Sequence, residues 1–289
     1  MKRSRLAALL LLAACQRPQP EAADPTRSGE STAPTTVSAT AAPILARVSP
    51  ILEGVWVKSD YLTEVARTKS PLKAARKLTD IVALSVQPRR ASGDSLLVDA
   101  NYNNHEAATF QVVLRPGLQS ASLPTTWSDY AQPTNFFELA YRASATDTVL
   151  LLNKYNQQKR LLQSVQYSRI RGVAQSTSAP SDGLQYFVNK QLLAGTYTAL
   201  DAKGNKKQVT FSPTGQVEGL DNFRQYYVAT DFVVTVENNL DNLIFDIGTK
   251  RQQDYVFTIS QDTVRLYNAR VAEPDLLRGP LQYTLVRGR

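Results

Sequence analysis

The sequence predicts an all-β protein: two tandem antiparallel up-and-down β-barrels, the first with a short helix after its first strand. Three observations lead there. Apolar and polar residues alternate at period two through much of the C-terminal half, as in strands with one buried face. Clusters of Asp, Asn, Gly, Ser and Pro interrupt these runs where tight turns would join neighbouring strands. Three short segments recur in the same order in both halves, the mark of an internal duplication. Composition agrees, since 289 residues at 43% hydrophobic and 20% charged suit a globular chain of two domains.

Taken in order, Lys2, Arg3 and Arg5 precede an apolar run from Leu6 to Ala14, too short to span a bilayer. A basic start, a short apolar stretch and small residues before a cut describe a secretory signal peptide over residues 1–14. The quartet Leu12-Ala13-Ala14-Cys15 resembles the lipobox of bacterial lipoproteins. That resemblance implies cleavage before Cys15 and lipid on its sulfur and new amino group. Three acyl chains would anchor the protein firmly, each buried methylene contributing ~0.8 kcal/mol. One Cys and one His exclude a disulfide framework, a CxxC redox pair and a Cys/His zinc site. Residues 15–45, rich in Pro, Ala, Thr and Ser, read as a lipidated flexible tether, because they cannot bury enough surface to offset their ordering entropy.

The first barrel is expected over 46–172, a linker (VAQSTSAPSD) over 173–182 and the second barrel over 183–289. The repeated boxes are Leu52-Glu53-Gly54-Val55-Trp56-Val57 with Leu193-Ala194-Gly195-Thr196-Tyr197-Thr198, Asp147 to Asn153 with Asp262 to Asn268, and Gln166 to Gly172 with Gln282 to Gly288. The first copy carries extra residues between its first two boxes. Expected strands there are Ile81 to Val86, Ser95 to Ala100 and Thr109 to Leu114, with a longer loop over Leu118 to Trp127. Its helix is Ser70 to Leu78, with Ser70 as cap, Pro71 at the first position, basic residues in the last turn and Leu72, Ala75 and Leu78 on one face. In the second copy Gln208 to Phe211, Phe232 to Val236, Leu243 to Ile247 and Tyr255 to Ile259 alternate as strands.

A Gly-x-Trp opening strand, here Gly54 and Trp56, with a helix after it and about eight meandering strands is similar to lipocalins and fatty-acid-binding proteins. The second copy has Gly195 and Tyr197 at these places. The tandem as a whole resembles lipocalin-like lipoproteins of Bacteroidetes-type bacteria. The expectation is therefore an exported cell-envelope lipoprotein, held through Cys15 on the outer membrane. It would be non-catalytic and without cofactor or metal. It would bind or carry an apolar small molecule or act as a contact module. The alternative is a protein-interaction component of an envelope assembly, with a carboxylate-dependent hydrolase behind it.

Residue chemistry favours the non-catalytic reading. His105, the only histidine, lies in Asn103-Asn104-His105-Glu106 and has no Gly-x-Ser-x-Gly elbow with it, so it reads as a turn residue. Asp94, Asp201, Asp241 and Asp262 read as solvated turn acids rather than a glycosidase pair. Glu237 to Asn242 offers hard oxygens but not the Ca²⁺-loop pattern, and reads as a hairpin turn. Residues 52–172 hold 15 basic and 10 acidic side chains while 173–289 hold 12 of each, so the mature excess sits in the first copy. Part of it runs from Lys58 to Lys77, a solvated helix face or a patch for anionic head groups. Export and the lack of a recognition motif argue against nucleic acid. Trp56 and Tyr197 read as plugs of the barrel floors. One of Tyr226 and Tyr227 must point outward if they lie on a strand, a hint of a contact surface.

Overall fold

The computed structural model describes residues 36–143, 147–175, 178–232 and 239–288. The signal segment, Cys15, most of the tether, Val234, Val236, Glu237 and Asn238 lie outside these residues. The described residues belong to one compact unit, Thr35–Arg289.

The first helix among the described residues begins in the last residues assigned to the tether and runs on into the stretch assigned to the first barrel. Helix α1 (Ala42–Leu52) has Pro43 in its first turn and buries Val48 and Leu52. Eight strands follow: β1 (Gly54–Lys58), β2 (Ile81–Ser92), β3 (Ser95–Tyr102), β4 (Glu106–Val113), β5 (Ser122–Ser128), β6 (Phe136–Ala143), β7 (Thr148–Tyr155) and β8 (Leu161–Arg169). They pair in sequence order, and β1 returns antiparallel to β8 to close a barrel. Closure leaves no sheet edge unpaired. The loop expected over Leu118 to Trp127 is shorter, because Ser122–Ser128 is strand β5. Pro124 lacks an N–H, which fits the thin β4–β5 ladder, where Val112 opposite Thr125 is the recorded pair. Glu138, buried, accepts from the Leu118 N–H at 2.9 Å and the Ser122 hydroxyl at 2.6 Å and ties that loop down.

Between β1 and β2 lie α2 (Ser59–Thr68), α3 (Pro71–Ala74) and a 3-10 turn, Ala75–Lys77. Ser70 caps α3, its hydroxyl accepting the Lys73 N–H at 3.1 Å. The buried face differs from the expected one. Pro71, Ala74 and Leu78 are buried rather than Leu72 and Ala75, because one α-turn passes directly into a tighter 3-10 turn and shifts the phase. Helix α2 is additional to the one helix the sequence predicts after the first strand. It buries Tyr61, Leu62 and Val65.

The second copy begins with α4 (Pro180–Leu192), which overlaps the expected linker. Pro180 starts it, and the Asp182 carboxylate accepts the Ala179 N–H at 2.8 Å. Then come β9 (Gly195–Asp201), β10 (Lys206–Phe211), β11 (Val217–Glu218), β12 (Tyr226–Val228), β13 (Asn242–Phe245), β14 (Gln253–Ser260), β15 (Thr263–Ala272) and β16 (Asp275–Arg287). They form an eight-stranded antiparallel sheet in which β9 pairs with β16, as β1 does with β8. Its terminal strands are β11 and β12. The strand expected to reach Ile247 stops at Phe245, because Asp246 turns to φ 46° and leaves Ile247 exposed.

The repeated boxes build the same joint twice. A helix (α1 or α4) ends just before a glycine at φ 138° or 143°, Gly54 or Gly195. The aromatic two residues on donates back to that helix end: Trp56 Nε1 to Leu52 O at 2.9 Å, Tyr197 Oη to Leu193 O at 2.8 Å. Both rings are fully buried. An arginine of the last strand covers each ring, Arg169 at 4.5 Å and Arg287 at 4.9 Å, and donates to Ile51 O or Ala194 O. The third box is thereby corrected by two residues. Strand register sets Arg169 against Trp56 and Arg287 against Tyr197, so Arg169, not Arg171, is the counterpart of Arg287.

Two apolar clusters hold the unit together. One fills the first barrel above α1, with Trp56, Leu84, Val98, Phe110, Leu139 and Leu152. The other joins the copies: Tyr61, Leu62 and Val65 of α2 share it with Leu184 and Val188 of α4 and the inner face of the second sheet. Hydrogen bonds add to this seam, from the Ser70 hydroxyl and Leu72 N–H to Asp241 at 2.5 and 2.8 Å, and from Asn104 to Thr230 O at 2.9 Å.

Candidate functional site

Strand direction gives the first barrel two unlike ends. Helix α1 lies at the end where β1 starts and β8 finishes. The β1–β2 connection with α2 and α3, the β3–β4 turn, the β5–β6 loop and the β7–β8 turn gather at the other. There a cup of about 260 Å³ opens into the barrel. Neither α2 nor α3 contributes to its lining. Its walls follow from period two. Leu150, Leu152 and Lys154 share one parity of β7, Phe137 and Leu139 of β6, and Val165 and Tyr167 of β8.

Aromatic rings make the bottom. Trp127 lies tilted 5.8 Å from Tyr102 and 5.9 Å from Phe110. Tyr167 is tied down, its hydroxyl donating to Ile81 O at 2.8 Å, and burial raises its pKa well above the ordinary range. Phe137, Leu152 and Val165 complete the wall, and Tyr130 is an exposed rim residue.

One ion pair crosses the cup. Lys154 Nζ is 2.5 Å from Asp129 Oδ2 and 5.9 Å from the centre of the Phe137 ring. Asp129 also accepts the Ala131 N–H at 3.1 Å, the Gln132 N–H at 3.3 Å and Asn135 Nδ2 at 2.8 Å. The hydrogen bond from Lys154, then that from Asn135, hold its pKa down at about 2. The other acid lining the cup, Asp80, interacts with Lys58. Two carboxylates thus share one cleft. Four donors hold the Asp129 carboxylate ionised, so within such a pair it could be the base or nucleophile and not the general acid.

The inner face of the second sheet is arranged differently. Phe211, Tyr226, Phe245, Phe223, Tyr255 and Tyr283 occupy its inner face in stacked, tilted and edge-on contacts 4.5 to 6.4 Å apart. Phe223 comes from the β11–β12 connection and lies stacked on Phe245. Tyr283 donates to Asp221, which also pairs with Lys207.

The sequence matches no family model and no curated protein.

The residues singled out in the sequence lie elsewhere. Cys15 is outside the described residues. His105 sits in the β3–β4 turn, Nε2 3.3 Å from Glu106 Oε1. Asp94 and Asp262 lie in turns, whereas Asp201 ends β9 and its carboxylate accepts the Lys203 and Asn205 N–H of the following turn at 2.8 and 2.9 Å. Asp241 is a correction: it is half-buried against α3, and desolvation raises its pKa. Tyr226 is buried and Tyr227 is half-buried. The basic run is partly spent internally. Lys58 is buried with Nζ 3.1 Å from Thr79 O, Arg67 pairs with Glu64, and Lys77 pairs with Asp60 at 3.3 Å. Among the described residues, no group of three His, Cys, Asp or Glu side chains could hold a metal ion. Also among them, no helix is long and apolar enough to cross a membrane.

Proposed function

We propose that this is a lipid-anchored, exported envelope protein, non-catalytic, whose first barrel takes up a small apolar molecule. The observation that carries the reading is the contrast between the two copies. One has an aromatic cup of about 260 Å³ at its open end, and the other has its inner face occupied by its own rings. Concave apolar sites with a few convergent polar groups are the usual form of small-molecule sites. The second sheet is, on this reading, a filled barrel of the same kind. Its end strands meet at the bridge between Gln216 and Gln225, flanked by the Val217 N–H to Arg224 O and Tyr226 N–H to Gly215 O hydrogen bonds. Anchoring rests on Leu12-Ala13-Ala14-Cys15 alone.

Native mass spectrometry of the protein purified from its own cells, with a lipophilic-dye titration, tests the binding reading. A bound small mass, or saturable dye uptake at one site, is expected. No bound mass and no uptake removes it. A fragment for this purpose has to start before Val37, which bridges to Gly93, and must retain all of α1. Mass analysis of the N-terminal peptide tests the anchor: Cys15 as a lipid-modified first residue is expected, and an unmodified Cys15 refutes it.

A second reading, a contact module in an envelope assembly, is favoured by exposed Tyr130, Leu161 and Leu162 at the cup end of the barrel. Cross-linking in intact cells through a photoreactive residue at position 130 distinguishes it: a defined adduct supports it and none speaks against it.

A further inference from the structure

We propose that the cup selects a ring-sized aromatic carboxylate, one or two fused rings bearing an anionic group that takes Lys154 from Asp129. This rests on the binding reading above and names its ligand class. Three observations carry it. The first is size. About 260 Å³ lies below the ~300–1,000 Å³ usual for drug-sized ligands, and the Trp127, Tyr102 and Phe110 rings close the way downward. A long acyl chain has no room, whereas a flat ring can lie against Trp127 and Phe137.

The second is the place of Lys154. It shares the inward parity of β7 with Leu150 and Leu152, where an apolar side chain would normally stand. Within the described lining of the cup it is the one cation. Its ammonium already lies beside the Phe137 ring, so an anion meeting it there would have its own ring against the wall.

The third is the asymmetry of the ion pair. Asp129 keeps three donors of its own loop, from Ala131, Gln132 and Asn135, when Lys154 leaves. Lys154 has Asp129 as its recorded ion-pair partner. The lysine is therefore the exchangeable member. An incoming carboxylate replaces one oxygen anion on the ammonium with another, and the acid left behind stays hydrogen-bonded. No bond is made or broken in the ligand.

The test uses 2-naphthoate, its uncharged amide and palmitate, titrated against the full-length protein while Trp127 emission is followed. The other tryptophan, Trp56, is fully buried in the floor. Naphthoate is expected to bind more tightly than the amide, but by less than the roughly tenfold of a newly made charge-assisted hydrogen bond, because the Asp129 contact is given up in exchange. Lys154→Met is expected to erase that difference, and Asp129→Asn to enlarge it by freeing the lysine. Palmitate is expected not to displace naphthoate. Equal affinity for naphthoate and amide would overturn the role of Lys154 yet leave the binding reading standing. Displacement by palmitate would overturn the size argument alone. If none of the three probes perturbs Trp127 and none binds by calorimetry, the ligand class fails. A bound mass in the native spectrum would then still uphold the broader reading, and its absence would remove both. Circular dichroism of both variants checks that they fold.

Discussion

Replacing Arg287 with Ala removes one arm of the joint that the chain builds twice. The guanidinium donates to Ala194 O at 2.7 Å and to Tyr197 Oη at 2.6 Å, and covers the Tyr197 ring at 4.9 Å. Hydrogen bonds from a charged donor contribute about 1.5–3 kcal/mol each when buried, but Arg287 is half-exposed, so about 1 kcal/mol each is the fair figure. The cation–π contact adds about 0.5–1 kcal/mol. The Tyr197 hydroxyl keeps its bond to Leu193 O, so no orphaned donor adds to the loss. The expected cost is about 2–3 kcal/mol. Urea unfolding followed by circular dichroism measures it as a fall in midpoint at unchanged slope. Arg287→Lys should recover only part, since an ammonium cannot span both acceptors while lying flat on the ring. Arg169→Ala, at the equivalent place under Trp56, should cost a similar amount. A loss below about 0.5 kcal/mol for both arginines would refute the claim that these joints hold the two copies in shape.

Two further outcomes follow from the packing and the charges. Gly183→Ala raises helix propensity in α4 by about 1 kcal/mol, yet its Cβ would land inside the contact distance of Val55 Cγ1. Overpacking of about 1–3 kcal/mol should win, so thermal denaturation should show a lower midpoint, and a higher one would contradict the α4–β1 contact. Asp129 has a folded pKa of about 2, below its ordinary value near 4. Its contribution is present above the ordinary value and lost as pH falls toward 2, so the Asp129 carboxyl carbon shift in NMR should titrate in that window. Titration at an ordinary aspartate pH would show that Lys154 is not paired with it in solution.

The strand content was legible because alternation is a local signal. Tyr255 and Phe257 of β14 are buried as read, although Val256 between them is buried too and Ile259 only partly. The duplication was legible through Gly54/Trp56 and Gly195/Tyr197, since a floor plug and a left-handed glycine need those residue types at that spacing. Its third box slipped by two, because tyrosine and glycine matches outweighed the one arginine that touches the ring. Helix α4 was signalled by Pro180, Asp182 and the Leu184, Val188, Leu192 spacing, but a Ser/Ala-rich approach disguised it as linker. Helix α1 was hidden in the same way.

The cup was not foreseen, although part of its signal was present: Leu150, Leu152 and Lys154 place a charge on the inward parity of a strand. The rest was not local. Trp127 reads as a loop residue in the sequence, and Tyr102, Phe137 and Tyr167 become neighbours only when the barrel closes.

The indole N–H signals of the two tryptophans test the central claim most directly, that one copy holds an accessible cup over a sealed floor. In ¹⁵N-labelled protein titrated with a naphthalene ligand, the account predicts that the Trp127 indole signal moves saturably. The Trp56 signal, bonded to Leu52 O, stays where it is. A stationary Trp127 signal in the presence of bound ligand, or a Trp56 signal that moves as far, would contradict it.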